Sequence, residues 1–190
     1  MDWLEEAAAK LKRKNTVLFS KGSELLGDLA LLLPEQDGRT VVLWALDLAE
    51  GSVKELEAGH PGEARPREAL LAAREWAAGR IKMRRAQRCI LDCHALAKEL
   101  DRPEDAALCH AVGQACSVVH TAGHALGYPM YELTSMVYRL GPENCREAVE
   151  ARAREYVSRL LCWAGRLDEY KGSWAGFMLA RPAGGGLTCR

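Results

Sequence analysis

In the stretch CHAVGQACSVVHTAGHALG, His120 and His124 stand four residues apart. Within a helix that spacing turns two imidazoles toward one ion, as in zinc hydrolases. Such enzymes also place a glutamate base between the histidines, and here Thr121, Ala122 and Gly123 fill those positions. A third ligand would have to come from another helix, with Asp92, Cys93 and His94 as candidates. His110 would be about 21 Å from His124 along a helix rising 1.5 Å per residue, too far to join the same site. On a helical wheel His110, Gly113, Ser117, His120, Thr121 and His124 form one stripe, opposite Val112, Ala115, Val119, Ala122 and Leu126. The leading expectation is therefore a set of histidines hydrogen-bonded within a crowded helix interface. A metal or small ligand on His120 and His124, or contact with a partner, is the alternative. No metal and no other cofactor is assigned.

Arginine supplies the second candidate chemistry. His60-Pro61-Gly62-Glu63 suits a type II turn, with Pro61 fixing φ and Gly62 supplying a positive φ. Pro66 fits a first helical turn, where its missing N–H costs nothing, and it biases Arg65 toward extended backbone. Arg65 and Arg67 then either tie down a helix corner or face a ligand. Further on, Arg80, Lys82, Arg84, Arg85 and Arg88 form a basic run without interleaved aromatics. It reads as a solvated helix face, with Arg88 and Asp92 as an i, i+4 pair. No nucleophile elbow, P-loop or dinucleotide fingerprint is present, so no catalytic residue is assigned.

Elements must hold these residues in place. Almost everywhere the apolar residues repeat with a period near 3.6, and nothing beyond a few β-branched residues around Thr40 alternates. The expected fold is all-α, a single-domain bundle of seven to eight helices over residues 1–180. Helices are expected at about 2–14, 21–33, 39–57, 65–78, 80–100, 104–127, 130–139 and 142–165. Pro34, Asp37-Gly38, Gly59 to Gly62, Gly79, Pro103, Pro129 and Gly141-Pro142 break them. Ala69, Ala72, Ala73 and Trp76 should give a narrow face for close helix packing. The last helix should bury Cys145, Val149, Ala153, Tyr156, Leu160 and Trp163 or Ala164 and expose the pairs Glu150/Arg154 and Glu155/Arg159. Residues 181–190, with three consecutive glycines, are expected to form a flexible tail.

Composition narrows the partners. The 26 basic and 26 acidic side chains cancel, which argues against a global attraction to nucleic acid or an anionic membrane. The longest apolar run is far short of the ~18 residues that span a bilayer. Acidic residues Asp2, Glu5 and Glu6 occupy the place of a signal peptide's basic region. The seven cysteines contain no CxxC pair and fall mostly on apolar helix faces, which fits free thiols in a reducing compartment. The expected location is cytoplasmic.

Several motifs in order carry a resemblance. The segment VVLWALDLAEGSVKELEAGHPGEARPREALLAAREWAAG leads to a helix containing CHALA and then to AVGQACSVVHTAGHA. It resembles the bacterial immunity proteins of polymorphic toxin systems, the all-α family numbered five. The resemblance runs from about Val41 to Ala125, within a family-like core of about 41–138. It rests most on Pro61, Gly62, Arg65, Pro66, Arg67 and Ala69, on Trp76 and Gly79, and on His120 to Ala125. The chain departs from the family pattern at Gln114, where a His often follows the glycine, and beyond His124. The resemblance implies a protein that binds and neutralises a cognate toxin domain, with that toxin as partner and no catalytic residues. Arg65, Arg67, Arg84, Arg85 and Arg88, with His120 and His124, are the candidate contacts, and Tyr128, Met130 and Tyr131 a candidate apolar patch.

Overall fold

The computed structural model describes residues 2–180. Among them there is no strand; nine α-helices and four short 3-10 turns follow one another, so the all-α expectation holds. The expected tail at 181–190 lies outside the described residues.

The first helix, α1 (Trp3–Lys12), shows why these ends form where they do. Asp2 accepts a hydrogen bond from the Leu4 N–H, Glu5 and Glu6 sit in the first turn, and Lys10 and Lys12 in the last. Each charge faces the opposite end of the helix dipole. The single helix expected at 21–33 is instead a 3-10 turn, a short α2 (Gly27–Leu32) and a second 3-10 turn that takes in Pro34. Pro34, just past the expected helix, lacks the N–H that would continue α2 beyond Leu32, and the chain tightens into the second turn there.

The core is built around α3 (Gly38–Gly59), started by Asp37, whose carboxylate accepts from the Arg39 N–H at 2.8 Å. Val41, Val42, Trp44, Ala45, Leu48, Ala49 and Val53 are all buried on it, and the Trp44 indole N–H donates to the Tyr156 carbonyl at 2.9 Å. Around it pack α4 (Arg65–Ala77), α5 (Met83–Leu96), α6 (Pro103–Ser117), α7 (Gly127–Leu140) and α8 (Arg146–Arg166), with a last turn, α9 (Gly176–Leu179), that the sequence did not announce. Ala69, Ala72, Ala73 and Trp76 of α4 are buried as expected, as are Cys145, Val149, Ala153, Tyr156 and Leu160 on or beside α8, whereas Trp163 is only half-buried and Ala164 is exposed, because the last turns of α8 run past the core. Of the pairs expected on α8, Glu155–Arg159 forms at 2.8 Å, while Glu150 pairs with Arg146 instead of Arg154.

Two boundaries differ in ways that matter. The helix expected to run from 104 to 127 stops at Ser117; the chain turns at 118–121 and makes a 3-10 turn at Ala122–His124. Val118, Val119 and Thr121 are β-branched and weak helix formers, and Thr121 is extended. Pro129, expected to separate helices, sits in the first turn of α7, where no N–H is needed. Gly79 closes α4 with φ of +78°, and a Cβ there would meet Ala175 at 3.3 Å. Ala175 also donates its N–H to the Ala77 carbonyl at 2.8 Å, so the segment leading into α9 is laid against the end of α4.

Candidate functional site

The corner at residues 60–63 folds as the turn expected for it. The Glu63 N–H donates to the His60 carbonyl at 3.1 Å, and Gly62 has φ of +93°. Outside the turn, His60 Nε2 lies 2.9 Å from Asp105 Oδ2 at the start of α6. Both arginines that follow are spent on carboxylates. Arg65 makes paired contacts with Glu63 at 2.9 and 2.7 Å and with Glu99 at 2.8 and 2.7 Å. Arg67 grips Glu57 at 2.8 Å through two nitrogens and reaches Glu50 at 2.6 Å; Arg74 holds the other oxygen of Glu50. The Arg65 guanidinium beside Glu63 holds that carboxyl down at about 2, against the opposing effect of burial. Two-pronged charge-assisted bonds of this kind fix direction as well as energy, so Arg65 and Arg67 tie α3, α4 and the turn that follows α5 together.

The histidines do not form one stripe. His110 stays on α6 and faces His94 of α5, the two Nδ1 atoms 2.9 Å apart, with the Tyr131 ring against the other side of His110. The His94 ring fills the space above Gly113, where any Cβ would collide with it. Burial, with His110 and His124 adding to it, lowers the His94 ring to about 4. Burial also lowers His110 and His124. Beyond the turn at 118–121, His124 Nδ1 meets Gln114 Oε1 at 2.8 Å, so the side chain at the family's departure point has a structural partner. His120 goes elsewhere and stacks on Trp76 with centroids 6.1 Å apart. The helical i, i+4 pairing that suggested a shared ligand on His120 and His124 is therefore absent. Among the described residues no group of three or more His, Cys, Asp or Glu could hold a metal ion.

One polar centre escaped the sequence reading. Glu132 of α7 lies between α7 and α8 and is 9% exposed. Tyr128 and Tyr156 donate to it at 2.7 and 2.5 Å, and Arg152 meets its two oxygens at 2.7 and 3.0 Å. Ser52 Oγ of α3 is 2.8 Å from the Tyr128 hydroxyl. Every carboxylate oxygen is matched, as a buried charge requires. Tyr128 is fully buried here, which corrects the expectation that it forms an apolar surface patch with Met130 and Tyr131. Its i, i+4 spacing from Glu132, like that of Arg152 from Tyr156, was visible in sequence. What was not visible is that α7 and α8 bring the two pairs face to face.

Arg84, Arg85 and Arg88 are placed differently from Arg65 and Arg67. All three are exposed on α5, and none makes an ion pair with a described residue; Arg88 and Asp92, expected to pair, do not. Ala86, Ile90 and Cys93 face the core, so Arg84, Arg88 and the exposed Leu91 lie at the centre of the opposite face. Beside the start of α5 is an open recess of about 340 Å³ lined by Trp76, Met83, His120 and Phe177.

The described cysteines are all free thiols, and Cys93, Cys109, Cys116 and Cys145 are buried. Burial pushes the Cys109 and Cys116 thiols up to about 12, which leaves them inert as nucleophiles. No described helix is long and apolar enough to cross a membrane.

No curated protein and no solved structure matches the chain. A family described as "Imm-5 like putative immunity protein" matches residues 31–159, a span that contains α3 to α7, the corner, the histidine pair and the arginine face. With more than half of its length so matched, the chain belongs to the Imm-5-like immunity protein family.

Proposed function

We propose that this protein binds a cognate bacterial toxin domain and neutralises it, as a stoichiometric inhibitor that performs no turnover. Membership of the immunity family is the observation that carries the reading. The interior agrees with a binding role. The buried thiols are inert, and of the two carboxylates buried among the described residues Glu132 is saturated by Tyr128, Tyr156 and Arg152 while Asp105 is paired with His60 and Arg102.

Of the candidate contacts, Arg65 and Arg67 serve the partner only indirectly, by fixing the corner that joins α3 to α4. Arg84, Arg85 and Arg88 are available for direct contact, and His120 contributes through the recess it lines. His124 is committed to Gln114.

The test is co-expression with toxin domains from the same bacterium. Protection from growth arrest, together with a 1:1 complex on size-exclusion chromatography, is the expected result. Growth arrest that persists at saturating levels of the folded protein would refute the reading.

A further inference from the structure

Arginines in this protein are almost all used. Apart from Arg84, Arg85 and Arg88, every described arginine except Arg13 and Arg154 sits in an ion pair. The three on α5 lie within five consecutive positions.

Their position is also unfavourable within the fold. Arg84 and Arg85 stand in the first turn of α5, with Lys82 as its N-cap, and neither an acidic residue nor a side-chain cap offsets the positive end of the helix dipole. Positive charge there costs about 0.3–1 kcal/mol per group at the surface. The helices α1, α4, α6 and α8 all carry acids in that turn. A locally unfavourable choice that no described residue offsets points to a surface shaped by something outside the fold.

The recess adjoins this face through Met83, the first residue of α5. Its wall is anchored to the core through its neighbours. Phe177 is 42% exposed, while the next residue, Met178, is fully buried, and the Ala175–Ala77 hydrogen bond anchors the segment. Phe177 and Trp76 have centroids 6.0 Å apart. A fixed, open aromatic hollow can take an apolar side chain from a partner without losing much freedom on binding. At about 340 Å³ it is at the small end of ligand pockets, and its open mouth suits a projecting side chain better than an enclosed small molecule.

We propose that the outer face of α5, with Arg84, Arg88 and Leu91, and the adjoining hollow of Trp76, Met83 and Phe177 form the toxin-binding surface. The partner it fits is a protein surface rich in carboxylates, with an apolar side chain at its edge to enter the hollow. This rests on the immunity reading above and adds where the toxin binds and what chemistry it presents. Carboxylates would meet the guanidiniums in two-pronged bonds and offset the dipole at the same time.

The test compares Arg84→Glu/Arg88→Glu with Arg154→Glu, a charge reversal at another exposed, unpaired arginine, on α8. The toxin domain that the wild-type chain neutralises is the probe, and circular dichroism checks folding. The double variant should bind at least about a hundredfold more weakly, Phe177→Ala about tenfold more weakly, and Arg154→Glu within about twofold of wild type. If wild type neutralises no toxin domain, the immunity reading and this surface fall together. If wild type neutralises and the double variant binds as well as it does, the surface alone is wrong. Equal loss in Arg154→Glu would show that only net charge matters and would also overturn it. So would tight binding of an RNA or DNA oligonucleotide at about 50 mM salt that the double variant loses.

Discussion

Arg67 and Arg84 stand on either side of the turn between α4 and α5, and their circumstances are opposite. Arg67 has three nitrogens on Glu50 and Glu57, carboxylates of the helix it packs against. Arg84 has no ion pair with any described residue. The side chain is the same, so the difference lies in what the neighbouring helix presents. α3 turns Glu50 and Glu57 toward α4, whereas no described helix lies against the outer face of α5, where Arg84, Arg88 and Leu91 are exposed. An arginine's role in this molecule is decided by that environment: held arginines define the fold, and unheld ones are available to a partner.

The largest test of the held class is Arg152. Removing it in Arg152→Ala would leave Glu132 charged between two buried phenols, and breaking a buried pair from one side typically costs about 3–5 kcal/mol. Urea unfolding should show a loss of that order. Replacing both partners, as in Arg152→Met with Glu132→Gln, should recover a good part of it, because no lone charge remains. A loss below about 1 kcal/mol in the single variant would mean that water reaches Glu132 and that the held class is weaker than its geometry suggests.

A second test uses acid. Burial lowers His94 from the usual 6.5 to about 4, so the fold prefers the neutral ring. The Nδ1 atoms of His94 and His110 can share one proton at 2.9 Å but cannot both carry one. The groups facing this cluster, His124 beside His94 and Lys98 near His110, are also positive when protonated. This contribution is complete above about pH 6.5 and is lost as pH falls toward 4. Allowing for the partial exposure of His94, it amounts to about 2 kcal/mol at most. His94→Gln should flatten melting temperature against pH in that window. Glu63, with its carboxyl at about 2, acts lower: its share is complete above about 4.5 and disappears as pH falls toward 2. The unheld arginines add nothing in either window.

Arg67 gives a smaller effect. It is partly exposed, with 26% of its side chain accessible, so solvent weakens its bonds. Arg67→Ala should cost about 1–2 kcal/mol in urea unfolding. Arg67→Lys should restore less than half, because an ammonium cannot make the paired contacts with Glu57. Full rescue by lysine would reduce the corner to simple charge attraction.

How much of this was legible in the sequence depended on distance along the chain. The helices α3, α4 and α8 followed from periodicity, and the turn at residues 60–63 from proline and glycine, because those signals act over a few residues. The end of α6 at Ser117 was missed because no glycine or proline marks it; the chain turns at Val118–Thr121 through a run of weak helix formers. That miss placed His110 and His124 on one helical stripe. The contact of Arg65 with Glu99 joins residues 34 positions apart, and Tyr156 meets Glu132 across 24. Periodicity identifies the buried face of a helix but not the helix that covers it. That Arg84 and Arg88 pair with no described acid was beyond reach for the same reason, since it depends on which helices pack against α5.

The smallest expected effect on stability divides the two classes most sharply. Arg84→Ala and Arg88→Ala remove no ion pair and no buried surface, so each should change unfolding free energy by less than about 0.5 kcal/mol. Arg84→Glu should even stabilise slightly, by about 0.3–1 kcal/mol, because it places a negative charge in the first turn of α5. The outcome to measure is a gain in melting temperature from a substitution that weakens toxin binding. Stability and binding moving in opposite directions at one residue is what a surface kept for a partner predicts, since the fold alone would favour the acid. A loss of stability in Arg84→Glu comparable to that of Arg67→Ala would instead move Arg84 into the held class and leave α5 without a reason to face the toxin.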